Sequence, residues 1–231
     1  PGLCRESGLR FAGAFDVAAE KDMRGLIEKQ IAVDSGPVNC QLADHDTPVG
    51  EAIRLTIALM EEAERQDAEV HLEVHRDTCT ETPEKAYAII DGYQKATGKT
   101  PRINFDFSHP AIIKHLWPEE YSERLLVRPE VLQQATLLHI RPFNGHHCQV
   151  PITDGNGALS REYLNFRPFM ADLFDCWLAG PRPNNALWVV PELGPINQLG
   201  YGLSAFPNIV DDLLVLSDEI RTAWAESLTK A

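Results

Sequence analysis

Six short apolar runs recur along this chain, and the last four each carry an acid or an imidazole at or just past the C-terminal end. VHLEVHRDT (70–78) contains Glu73, INFDFSHP (103–110) Asp106, LLHIRPF (137–143) His139 and LWVVPELGP (187–195) Glu192. The intervals between these residues are 33, 33 and 53 positions. A strand with its crossover helix takes roughly 30 or more residues, so the spacing reads as one βα unit, a second, and a third with an insertion. Parallel strands present their C-terminal ends on one side. Ionisable groups delivered there once per unit converge on one mouth of a barrel, where such folds keep their chemistry. The pattern points to a metal-dependent enzyme.

The runs at 9–15, 38–43, 70–75, 103–107, 137–141 and 187–191 read as strands, most of them continuously apolar, as in a parallel sheet covered on both faces. Helical periodicity fills the gaps and gives α/β layering. Residues 48–66 place Ile53, Ile57 and Met60 on one face, and 83–96 repeat the pattern with Ala86, Ile89, Ile90 and Tyr93. Thr47-Pro48 and Thr82-Pro83 each predict an N-cap hydroxyl followed by proline in the first helical position. Gly98 marks a helix stop. A final helix over 207–228 is expected to bury Leu213, Leu216, Ile220 and Trp224. Residues 142–160 form a long loop and 180–185 a stiff turn. Glu61, Glu62 and Glu64 read as a solvated helix face.

Residues 1–231 are expected to form one domain of the TIM (β/α)8 barrel type. That barrel has eight strands and about 250 residues, whereas six strands are legible here. The first two βα units are therefore expected to be missing, through truncation or because the barrel is open. An open edge exposes backbone groups that another chain can cover, which leaves a homo-oligomer open.

Composition narrows the function. The formal net charge of −13 opposes nucleic acid and anionic membranes, which are bound through clustered Lys and Arg. No apolar run of about 18 residues signals a membrane span, and no signal peptide is apparent. Cys4, Cys40, Cys79, Cys148 and Cys176 are odd in number and lack CxxC spacing, which suits reduced thiols in a cytoplasmic protein.

Taken in order, E-x-H-R-D-T, D-x-S-H, H-x-R-P…Q-V-P and P-E-L-G-P resemble the xylose-isomerase-like TIM barrels over roughly residues 9–228. That superfamily includes sugar and sugar-phosphate isomerases and epimerases, inosose dehydratases and endonuclease-IV-type enzymes. The resemblance implies one divalent metal held by Glu73, Asp106, His139 and Glu192. It implies substrate contacts from His75, Arg76, His109 and Arg141. The chain departs from the pattern after His139, reading FNGHHC (143–148) where many relatives are acidic.

Three carboxylates and an imidazole suit Mn²⁺ first, with Mg²⁺, Co²⁺ or Zn²⁺ as alternatives. Glu73 and Glu192, from different strands, are the candidate acid/base pair for moving a proton beside a ketone through an enediolate. The expected function is isomerisation or epimerisation of a small carbohydrate. A keto-sugar or keto-inositol dehydratase and a non-catalytic barrel subunit are the rivals. Bland readings stand beside these roles. His109 also fits a loop cap before Pro110, and Arg141 a salt bridge to Asp106 or Glu192. His146, His147 and Cys148 look like metal ligands but also like a solvent-facing loop. Asp44 and His45 follow the second run and could line the same mouth. The four tryptophans read as packing residues, with Trp117 also placed to wall a sugar pocket.

Overall fold

A computed structural model describes residues 2–181, 186–194 and 207–231, arranged in two compact units, Pro1–Phe105 and Asp106–Ala231. Most of the expected stiff turn, at 182–185, lies outside the described residues. Among the described residues no helix is long and apolar enough to cross a membrane.

The first unit alternates strand and helix: β1 (Phe11–Val17), α1 (Glu20–Ala32), β2 (Ser35–Leu42), α2 (Val49–Arg65), β3 (Val70–Val74), α3 (Pro83–Thr97) and β4 (Ile103–Asp106). The strands pair in parallel and in sequence order. Their register lines up Phe15, Cys40, Leu72 and Ile103 in one buried apolar row. The residues between them behave differently from the continuous apolar runs expected. Asn39, His71, Glu73 and Asn104 alternate with the apolar row and are just as buried. Successive strand residues point to opposite faces, so one face of this sheet is apolar and the other polar.

Helix packing explains the local sequence. α2 buries Leu55, Leu59 and Met60, with Ile53 and Ile57 on the flank of that face. Ile53 meets α3 at Gly92, where a Cβ would stand 2.2 Å from the Ile53 Cδ1. The start of α3 matches expectation: the Thr82 hydroxyl accepts from the Lys85 amide, and Gly98 closes the helix with φ 73°. The start of α2 does not. Pro48 occupies the N-cap, and the Thr47 hydroxyl donates to Asp44 Oδ1 at 2.9 Å instead. The short Asp44 side chain captures it in a local turn. Glu62 also departs from the solvated face: it is 5 % exposed and paired with Arg65.

The second unit contains β5 (Leu137–Ile140), α4 (Arg161–Leu178), β6 (Trp188–Pro191) and α5 (Ile209–Leu228), preceded by short helical turns. β5 and β6 run parallel, from Leu137↔Trp188 to Ile140↔Pro191. Tyr121, Phe143, Phe166 and Phe169 interlock at ring separations of 4.8–6.1 Å. Such tilted and edge-on contacts contribute beyond area burial. Trp224 of α5 packs on Phe174 and Trp177 of α4. Trp117 is 72 % exposed and is not a packing residue. The long loop after β5 is anchored by the buried carboxylate of Asp212, which accepts from the Ile152 and Thr153 amides and the Thr153 hydroxyl.

Candidate metal centre

In the second unit, β5 and the ends of β4 and β6 bring three of the four expected ligands together. Asp106 closes β4, His139 lies within β5, and Glu192 follows β6, its amide donating to Ile140 O at 3.0 Å. Asp106, His139 and Glu192 each offer one ligand atom, all within 4.8 Å of one another.

The donor chemistry fits a hard or borderline divalent cation. His139 Nδ1 and Glu192 Oε2 approach to 2.6 Å without the angles of a hydrogen bond between them. Two carboxylates and an imidazole suit Mg²⁺ or Mn²⁺ without excluding later first-row ions.

Arg141 crosses this group. Its side chain is almost fully buried, and Nη2 lies 3.0 Å from Asp106 Oδ2 and in close contact with Glu192 Oε1. The His109 Nε2 is 3.3 Å from the same Asp106 oxygen. Asp106 Oδ1 accepts from the Ser108 amide at 2.9 Å. Burial alone would raise the Asp106 pKa, but the charges of Arg141, His109 and His139 prevail and hold it well below the usual carboxylate range. Of the two readings for Arg141, the structure shows the ion pair, with both carboxylates at once. His109 faces the Asp106 carboxylate.

The first unit holds Glu73, one residue before the end of β3 and almost fully buried. Asn39 Nδ2 donates to Glu73 Oε2 at 2.6 Å, and Asn104 Nδ2 donates to Asn39 Oδ1 at 2.9 Å. The Thr80 hydroxyl donates to the Glu73 backbone carbonyl at 2.6 Å. This amide relay was missed in the sequence. Its signal is a period of two: Asn39-x-Gln41, His71-x-Glu73 and Asn104-x-Asp106 each set two polar residues on one face of a strand that is otherwise apolar.

The remaining candidates stay local. The His75 ring bonds to the Arg76 carbonyl at 2.5 Å, inside the tight turn after β3. Asp44 supports its own loop, and His45 Nδ1 lies 2.8 Å from Asp77 Oδ1. His146 and His147 are exposed, the former against the His115 ring, whereas Cys148 is buried.

No protein-family model matches the sequence, and no curated protein matches it. Solved structures do. The L-ribulose 3-epimerase structure superposes with a TM-score of 0.62 at 12% identity, covering 100% of this chain and 81% of that one. A D-tagatose 3-epimerase-like protein gives 0.58 at 14%, covering 97% and 82%. A xylose isomerase-like TIM barrel protein from Mycobacterium smegmatis, in complex with magnesium, gives 0.54 at 14%, covering 96% and 77%. The likeness is one of fold: the chain is an α/β protein with a TIM-barrel-like fold.

Proposed function

We propose that the chain is a divalent-metal-dependent isomerase or epimerase of a sugar or sugar phosphate. The observation that carries this reading is the convergence of Asp106, His139 and Glu192, in a fold similar to those of L-ribulose 3-epimerase and a D-tagatose 3-epimerase-like protein. Glu73 completes the ligand set in the proposal. Support comes from its setting: Glu73 is almost fully buried near the C-terminal end of β3 and shares a face of the sheet with its register partner Asn104. A bound Mn²⁺ or Mg²⁺ supplies positive charge that stabilises negative charge developing on the oxygens of a hydroxy-ketone.

The chain's own residues do the rest. In this reading Glu73 and Glu192 take a proton from the carbon beside the ketone and return one, giving epimerisation when they work on opposite faces of the enediolate. The Asn39 amide, donating to Glu73 Oε2, fixes that carboxylate's direction. Arg141 and His109 offer donors for substrate oxygens, and His75 and Arg76 contribute from the turn after β3.

The test is exchange. Purified protein is incubated with a panel of ketopentoses and ketohexoses, free and phosphorylated, in D₂O with Mn²⁺. Deuterium is expected at the epimerised carbon, lost with EDTA and absent in Glu192→Gln. A β-elimination product in place of the epimer would shift the assignment to a dehydratase. No exchange on any ketose, together with no measurable Mn²⁺ binding, would overturn the reading.

A further inference from the structure

β6 is a weak base for a precise carboxylate. None of its four residues is fully buried, and the Glu192 side chain is about one-third exposed. Packing alone does not hold the end of this strand. A hydrogen-bonded clasp from the loop after β5 does.

Gln149 is 4 % exposed, and its carboxamide bonds twice to a single residue. Nε2 donates to the Gly194 carbonyl at 3.1 Å, and Oε1 accepts from the Gly194 amide at 2.6 Å. The side chain thus replaces the peptide unit that a neighbouring strand would offer. Glu192 is bracketed between the hydrogen bond that its own amide donates to Ile140 O and this pair of hydrogen bonds two residues later.

The loop that carries Gln149 is itself closed. The Val150 amide donates to Pro142 O at 2.9 Å, and the Asn144 amide to His147 O at 2.9 Å. Asn144 Oδ1 accepts from the amides of His146 and His147. Gly145 lies so near the Leu116 carbonyl that a Cβ would come within 2.5 Å of it. The loop leaves the sheet directly after Arg141, whose guanidinium already touches Glu192. Two ties therefore join the same two segments, one ionic at the carboxylate and one neutral behind it.

We propose that Gln149 is the positioning residue for Glu192, and that the loop 142–150 serves as its clamp. The inference rests on the metal-centre reading given above. A carboxamide suits the task because it donates and accepts at once without adding charge beside Asp106 and Glu192. Glutamate at the same place would set an anionic oxygen against the Gly194 carbonyl. Methionine fills similar volume and makes neither bond.

Four proteins test this: wild type, Gln149→Met, Asp212→Asn and Glu192→Gln. Each is assayed for Mn²⁺ affinity by calorimetry and for metal-free Tm. Amide hydrogen exchange at Gly194 is followed in wild type and Gln149→Met. Loss of partners behind metal ligands typically costs 10–100-fold in affinity, so Gln149→Met is expected to weaken Mn²⁺ at least about tenfold. Its Gly194 amide should exchange faster even without metal. Asp212→Asn loosens the same loop further along and should lower Tm while leaving Mn²⁺ affinity unchanged. Unaltered Gly194 exchange in Gln149→Met would overturn the clasp and leave the metal reading standing. So would normal Mn²⁺ affinity in Gln149→Met beside a weakened Glu192→Gln, or losses that track Tm in Gln149→Met and Asp212→Asn alike. Wild type and Glu192→Gln binding Mn²⁺ equally would instead overturn the metal reading, and the proposal with it.

Discussion

A guanidinium sealed against Asp106 and Glu192 sets the energetics around the candidate centre. Removing one partner of a buried ion pair leaves an uncompensated charge, so Asp106→Asn is expected to destabilise the metal-free protein by roughly 3 kcal/mol in urea unfolding. The effect has a pH signature. The folded pKa of Asp106 lies below its unfolded value, near 3.9 for a free aspartate. The stabilisation is present above that unfolded value and is lost as pH falls toward the folded one. Wild type should therefore lose its advantage over Asp106→Asn only below about pH 4, and equal acid-unfolding curves would contradict the pairing. At this scale the sequence revealed the ionisable residues, because strand ends and spacing mark them. It did not reveal which oxygen Arg141 chooses, or that Asn39 stands behind Glu73. Those depend on register between strands far apart in the chain, and an asparagine in an apolar run carries no mark of its partner.

The strands and the three helices given bounds in the sequence were legible to within a few residues, whereas α1 and α4 were not delimited. β1 was expected at 9–15 and lies at Phe11–Val17; β2 begins at Ser35 rather than at 38. The two Thr-Pro helix starts show why local motifs mislead. Thr82 caps α3, so Thr82→Ala should cost about 1 kcal/mol of stability. Thr47 is taken by Asp44, so Thr47→Ala should loosen the turn at 44–47 while leaving the amides at the start of α2 exchanging as before; faster exchange there would show that Thr47 caps after all. Gly145 makes a different case. The atoms facing it are backbone atoms of His115 and Leu116, which cannot swing away. Gly145→Ala is therefore expected to cost about 1–3 kcal/mol in thermal or urea unfolding, and a neutral result would mean that the loop sits further from Leu116.

Across the whole molecule, the boundary between the two compact units falls between Phe105 and Asp106, inside β4 and not in a linker. We propose that residues 1–231 behave as one domain. Calorimetry should then give one transition whose calorimetric and van't Hoff enthalpies agree; two separable transitions would divide it. The charge of −13 was legible from composition alone; the layered α/β class was legible from the alternation of apolar runs and helical periodicity, a pattern repeated over many residues. The loop after β5 was legible as a long connection and as a break in the family pattern, but its internal closure was not. Its base is occupied by Gln149, while His146 and His147 at its tip are exposed and contribute to the clamp only through their backbone. The backbone bonds that close the tip do not depend on the side chains at these two positions, which can be exchanged. New side chains can be grafted there, and under the proposed function they change which molecule is accepted while Glu192 stays in place.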